Sequence, residues 1–409
     1  MTTPLEPQLK RSLSLTLVTL YGIGTILGAG IYVLVGKVAG YAGMYTLLAF
    51  LLASIVAGFS AFSYAELSVR YPKSAGEAVY VQQGFQRRHL SMLVGLLIVL
   101  MGAVSTATLV HGFVGYLKVF VQWPDVLVIV AVIIIMCAIV IWGISESVFI
   151  AALMTIAEII GLLIILWVAR EGFSILPARV EELVPPLQGE VWFGILLGAF
   201  VAFYAFIGFE DIVNVAEEVR EPQRNLPRAI ILALVITTLF YILVALVSIL
   251  VMPPAELADS DAPLAMLYER MTGQHPTVIT VISLVSVLNG VLIQIIMASR
   301  VLYGMSRQGW LPRHVGLVHA VTRTPVVSIT MVGSLTMMFA LLLPLLSLAK
   351  LTSFITLTIF SLINLALWRI KFRDKTTPSG FTVPLWVPVC GFITSGALLL
   401  FQFIYILSG

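Results

Sequence analysis

The chain has 409 residues, of which 60% are hydrophobic and only 11% charged, with a formal net charge of +3. No water-soluble core requires that balance, so a soluble enzyme is excluded. The basic residues follow the ends of apolar runs and form no patch, which argues for topology and against nucleic-acid binding.

Eleven runs are each long enough to cross a hydrocarbon layer of about 30 Å, which takes about 20 helical residues. They cover roughly 12–36, 42–66, 90–118, 126–144, 148–169, 191–216, 228–252, 277–303, 326–347, 349–369 and 383–407. The expected protein is all-α and polytopic, and the alternating short segments of a β-barrel are missing. The first run opens a multi-pass body and does not read as a cleaved signal peptide. Between the ninth and tenth runs, Pro344 and Lys350 are the only punctuation. All connections are short and read as loops, the longest being 70–89, 170–190, 252–276 and 304–325, so no extramembrane enzyme domain is expected.

With the amino terminus in the cytoplasm, 17 of the 23 basic residues, from Lys10 and Arg11 through Arg369 to Lys375, fall in inner connections. Lys37, Lys118, Arg170, Arg179, Arg270 and Lys350 are left outside, beside acids such as Glu181, Glu256 and Asp261. The positive-inside rule therefore predicts a multi-pass protein of the cell membrane, with its amino terminus cytoplasmic and its carboxyl terminus outside.

The helix signal fails twice. In GIGTILGAGIY, residues 22–32, Gly22, Gly24, Gly28 and Gly30 occupy the middle of an apolar run, where an unbroken helix would avoid them. Close helix packing is one reading, since Gly24 and Gly28 have G-x-x-x-G spacing. A break that exposes backbone polar groups is the other. In the sixth run, Gly208 is followed by Glu210 and Asp211, two acids whose burial costs several kcal/mol unless they are paired, protonated or hydrated. A second half-helix is expected to continue through Val213, Val215 and Val219, with Glu217 and Glu218 near its cytoplasmic end.

Breaks in the first and sixth runs lie five apart, the pattern of two five-helix repeats in inverted orientation, about 12–169 and 191–369, with substrate at the midplane. Half-helices starting near Gly28 and after Gly208 would aim free N–H groups at an anion. Carbonyls around Ile23, Gly24 and Phe206 would accept from an ammonium. Such a pair of sites suits a zwitterionic amino acid and suits a sugar poorly.

At these residues the chain resembles the amino acid, polyamine and organocation transporter superfamily, which shares its inverted-repeat core with sodium-coupled neurotransmitter symporters. GTILGAGIY is similar to its first-helix motif, AFIGFEDIVNVAEEVREPQRNLPRAI to its sixth-helix signature, and residues 288–319 to its eighth helix and following loop. The resemblance implies a 5+5 inverted-repeat fold with one further helix at 383–407. It implies that Thr25, Ile26, Gly28, Ala29 and Gly30 meet the substrate carboxylate, that Ile23 and residues 203–206 (Phe203, Tyr204 and Phe206 among them) meet the ammonium, and that Tyr204 closes over it from outside. Ile207 completes the candidate pocket. Glu210 matches a position tied to proton sensing in arginine-exchanging relatives. In the fifth run, several proton-coupled relatives carry a lysine where this chain has Glu158, so lysine-based coupling does not transfer. Glu158 is then a protonatable coupling group, a neutral hydrogen-bonded acid or a cation ligand.

Glu217 and Glu218 read as an inner gate or an ion-pair network with Arg220, Arg224 or Arg300. Glu66 and Arg70 have the spacing of a helix ion pair. His111 reads as a structural hydrogen bonder, and Asn289, Ser299, Ser353 and Thr356 as polar lining. Cys137 and Cys390 lack the neighbours of a metal site, and no cofactor motif appears. The expected function is proton-coupled symport of a neutral amino acid, with protons and membrane lipids as partners. Exchange, including of cationic amino acids, and a non-transporting amino acid sensor are the alternatives.

Overall fold

A computed structural model describes residues 9–118, 120–260, 262–343, 345–374 and 380–408. Pro344, Asp261 and Lys375, with the side chains of Ala29, Lys350 and Ser353, lie outside the described residues. The helices in chain order are α1 (Leu15–Ala42), α2 (Thr46–Arg70), α3 (Gly76–Phe85), α4 (Arg88–Leu117), α5 (Asp125–Trp142), α6 (Ile144–Val168), α7 (Glu171–Arg179) and α8 (Gly189–Ala205). They continue as α9 (Asp211–Asn214), α10 (Pro222–Val251), α11 (Pro254–Asp259), α12 (Pro263–Thr272), α13 (Thr277–Arg307), α14 (Val326–Leu342), α15 (Leu345–Arg373) and α16 (Trp386–Ser408). Among the described residues, eight stretches are long and apolar enough to cross a membrane, and three shorter apolar helices accompany them. The protein is an all-α polytopic membrane protein.

Long helices occupy each predicted run, and the differences lie between them. Three connections read as loops contain helices: α3 in 70–89, α7 in 170–190, and α11 with α12 in 252–276. Six to ten residues long, they are too short to register as membrane-spanning runs. Helix α10 starts six residues earlier than the predicted 228, since Pro222 sits in its first turn, where a missing N–H costs nothing. The sixth run splits: α8 ends at Ala205, and a four-residue α9 followed by a 3-10 turn at Ala216–Glu218 replaces the expected second half-helix.

Small residues set the packing distances. On α4, a Cβ at Gly95 would lie 2.9 Å from Met305 Cε and one at Gly102 3.0 Å from Met297 Cε, so α13 lies directly against this face. A Cβ at Gly84 would be 2.7 Å from Ala366, which presses α3 onto α15.

Two sets of connections gather at opposite ends. At one, Ser12 N and Leu13 N donate to Glu218 O at 2.9 and 3.0 Å, Arg88 reaches Gly309 O, and Arg373 reaches Gln83 O at 3.0 Å. At the other, Arg179 donates to Leu250 O at 2.9 Å and Lys37 to Ala258 O at 3.4 Å.

Glu66 fastens the first end. The predicted pair with Arg70 forms at 2.7 Å, and the fully buried carboxylate also accepts from Lys371 Nζ at 2.7 Å and from Val383 N at 2.8 Å. It thereby joins α2, α15 and the strap that leads to α16. Removing one partner of a buried ion pair costs about 3–5 kcal/mol. Glu66→Ala is expected to lower the melting temperature in detergent well beyond an exposed control such as Glu221→Ala, as read by differential scanning fluorimetry.

Candidate functional site

Within α1, Gly28 has the non-helical backbone, at φ 24° and ψ −144°. This positive φ favours glycine. A Cβ built there would meet nothing within 4 Å, so the break borders open space. Its neighbours behave differently. A Cβ on Gly24 would collide with Thr155 Oγ1 and lie 2.5 Å from Asn289 Nδ2, and one on Gly30 would lie 3.3 Å from the backbone of Ala205. Close packing is found at Gly24 and Gly30, whereas Gly28, the other member of the expected G-x-x-x-G pair, is the break and packs against nothing within 4 Å.

The second break comes to meet the first. The last turn of α8 tightens, with Phe206 N donating to Phe203 O at 3.0 Å and Ile207 N to Tyr204 O at 3.3 Å. The chain then passes through Gly208 at φ 133°, where an added Cβ would lie 2.8 Å from Thr25 Cγ2 and 2.9 Å from the Thr25 carbonyl carbon. Tyr241 of α10 bridges the two interruptions. Its hydroxyl lies 2.5 Å from Ile26 O and 2.8 Å from Ala205 O, so one O–H serves a carbonyl from each break.

The candidate residues divide between these structures. Ile23 and Thr25 lie in regular helix before the Gly28 break, and the Thr25 hydroxyl donates to Tyr21 O at 2.8 Å. The carbonyl engaged at the break is that of Ile26. Phe206 packs edge-on to Tyr241 at 5.0 Å and Phe203 to Phe360 at 6.0 Å, while Tyr204 and Ile207 keep partial exposure. The backbone of Ala29 and Gly30 begins the second half of α1, which runs on to Ala42 and supplies a helix N-terminus at the open space. Four-residue α9 offers no comparable dipole, and Gly208 N, just before it, already donates to Glu210 Oε2 at 2.8 Å. The anion site expected at the second break is therefore not formed there.

A broken first helix, a broken sixth helix and their contact fit one family of carriers. Residues 13–408 match the Amino acid permease family. The chain belongs to that family. Relatives include the branched-chain amino acid permease BcaP of Bacillus subtilis, 29% identical over 94% of this chain and 86% of the relative. The methylthioribose transporter of the same bacterium is 29% identical over 97% and 88%. Cationic amino acid transporter 3, mitochondrial, of Arabidopsis thaliana is 29% identical over 78% of this chain and 55% of its own length. The protein is thus a transporter and not an enzyme.

Helix α13 of the permease reaches buried acids in three places. Asn289 Nδ2 donates to Glu158 Oε1 at 2.8 Å and to Thr155 Oγ1 at 3.0 Å, while Glu158 Oε2 is buried without a partner. Gln294 Nε2 donates to Asp211 at 2.8 Å, beside Glu210, whose Oε1 is unpartnered. Arg300 and Glu218, both fully buried, make a two-pronged pair at 3.1 Å, and Tyr303 donates to Glu217 at 3.2 Å. Of the predicted basic partners, Arg300 takes Glu218, whereas Arg224 pairs with Glu221 at 3.6 Å and Arg220 donates its backbone N–H to Leu13. Ser74 N also donates to Glu217, at 3.2 Å. His111 Nε2 is buried without a partner, so that nitrogen makes no structural bond of the kind expected.

Sequence reading missed Tyr241. Glu77 opens α3, and its Oε1 accepts from Asn214 Nδ2 at 3.2 Å, while Asn214 Oδ1 accepts from Gly76 N at 3.1 Å. Burial pushes the Glu77 carboxyl up to about 8, against a smaller downward pull from its hydrogen bonds, including that from Asn214.

Two outcomes follow from these contacts. Tyr241→Phe leaves two carbonyls at the breaks without their donor, at about 1–3 kcal/mol, and is expected to cut uptake about tenfold or more while the protein stays folded in detergent. Glu77 binds its proton more tightly folded than unfolded, so its stabilising contribution is full below about 4.5 and is lost as pH rises through about 8. Melting temperatures measured from pH 5 to pH 9 are expected to fall less steeply in Glu77→Gln than in the unaltered protein.

Proposed function

We propose that the permease is a proton-coupled symporter of a neutral amino acid, working by alternating access between two inverted five-helix repeats with α16 at their side. The observation that carries this reading is the open space at Gly28, bounded by the start of the second half of α1 and by the Tyr241 bridge to Ala205. Free N–H groups at that helix start suit a carboxylate, and nearby carbonyls suit an ammonium. Buried rings at Phe203 and Phe206 favour a side chain without charge.

Glu158 is the proposed proton carrier. It is fully buried, is held on one oxygen by an amide donor, and has no cationic partner among the described residues. An unpaired charge costs several kcal/mol in that setting, and a proton removes it. Glu158 touches Asn289, which also faces Gly24, so a change in its charge acts on α1 close to the substrate break. Glu218 and Arg300, with the tie of residues 12–13 to 218–220, form the closed gate at the end that the positive-inside rule makes cytoplasmic. The relatives named for branched-chain and cationic amino acids support amino acids as the substrate class.

Proteoliposome uptake of labelled leucine, with and without an inward proton gradient, tests the reading. Gradient-stimulated accumulation is expected, and Glu158→Gln is expected to lose that stimulation while retaining counterflow. Uptake that appears only with amino acid trapped inside would instead identify an exchanger.

A further inference from the structure

At the end that holds the Glu218–Arg300 gate, α3 and α15 leave a cleft of about 340 Å³ between them, remote in sequence from the two breaks. Phe85 forms one wall, and Trp368, Arg369, Phe372 and Arg373 of the last turns of α15 form the other. The guanidinium of Arg369 lies 5.0 Å over the Phe85 ring, and among the described residues no carboxylate or carbonyl pairs with it. Arg373, by contrast, is committed to Asp374 at 2.9 Å and to Gln83 O. Lys371 is committed to Glu66. Arg87, which follows the cleft residue Gln86, is exposed. The cleft therefore carries positive charge that its own acids do not cancel.

The apolar part points the same way. Trp368 and Phe372 stack at 6.0 Å, one turn apart, and Phe372 is 74% exposed. Large exposed rings beside arginines, where an apolar helix of 29 residues leaves the hydrocarbon, belong to the headgroup layer of a bilayer. A soluble partner would gain little from rings at that depth. A lipid has both a phosphate for Arg369 and a glycerol and acyl chains for the rings.

We propose that this cleft binds an anionic glycerophospholipid, with its phosphate held by the fork of Arg369 and its chains laid along Trp368 and Phe372. The planar guanidinium accepts the phosphate on two N–H groups while Phe85 supports its face. Net negative headgroups are favoured over zwitterionic ones, because the choline of a neutral lipid would face the uncompensated charge of Arg369 and Arg87. Bound there, the lipid links α3, which carries Glu77, to α15, which carries Lys371.

The test is a melting titration of the purified full chain in neutral detergent with phosphatidylglycerol, phosphatidylcholine and inorganic phosphate. Phosphatidylglycerol is expected to raise the melting temperature saturably, and the other two are not. Arg369→Gln is expected to raise the phosphatidylglycerol concentration for the half-maximal shift at least fivefold, with Arg369→Lys between. Arg228→Gln, which removes one exposed charge from the same end, is expected to match the unaltered protein. Should Arg369→Gln misfold, Phe372→Ser serves in its place with the same expected weakening. Equal shifts with phosphatidylcholine, an equal shift with inorganic phosphate, or an Arg369→Gln titration superimposable on that of the unaltered protein would each overturn the proposal.

Discussion

A hydrocarbon layer offers no water to a backbone carbonyl, so a helix broken within it must find donors from its neighbours. This permease breaks two helices and brings the breaks together, and the Tyr241 hydroxyl stands between Ile26 O and Ala205 O. Phe50 and Phe206 pack edge-on against the same ring, at 5.7 and 5.0 Å, and hold it in place. The irregular backbone at the two breaks is thus surrounded by protein. Gly208 lying on Thr25 completes the contact, and a larger residue there would push the two breaks apart.

Helix α13 organises the charges around this centre. Asn289, Gln294, Arg300 and Tyr303 face Glu158, Asp211, Glu218 and Glu217 in turn. At 1.5 Å per residue the four span about 21 Å, most of the thickness of a hydrocarbon layer. A single helix therefore contacts the proposed proton carrier, the acids beneath the second break and the proposed gate at the end. Its tilt relative to α1 and α9 bears on all of them at once.

Much of this was legible in the sequence, for identifiable reasons. The long runs are strongly apolar, and glycines or adjacent acids inside such runs violate their own environment, so both breaks and Glu158 stood out. Arg300 was among three candidate partners for Glu218, because charge alone names the types and leaves the choice to geometry. Tyr241 gave no signal: a tyrosine inside LFYILV is an ordinary apolar residue until Ile26, 215 positions away, is placed beside it. Lys371 was likewise read as a topological charge, although it is bound to Glu66 across 305 positions. The short α9 departs from the expected half-helix since valines at 213, 215 and 219 suggest continuity, whereas Glu210 ahead of them turns back to accept from Gly208 N. Helices α3, α7, α11 and α12 are six to ten residues long, too short to register as membrane-spanning apolar runs.

The fit at Gly24 has a mechanical meaning. Because no side chain separates α1 from Thr155 and Asn289, the first helix and the amide that restrains Glu158 behave as meshed gear teeth. Rotation of α1 about its own axis cannot occur without displacing that amide, and removal of the amide leaves the acid a poorer host for its hydrogen bond. In the proposed mechanism, substrate movement and carboxyl chemistry are thereby geared through one missing methyl group.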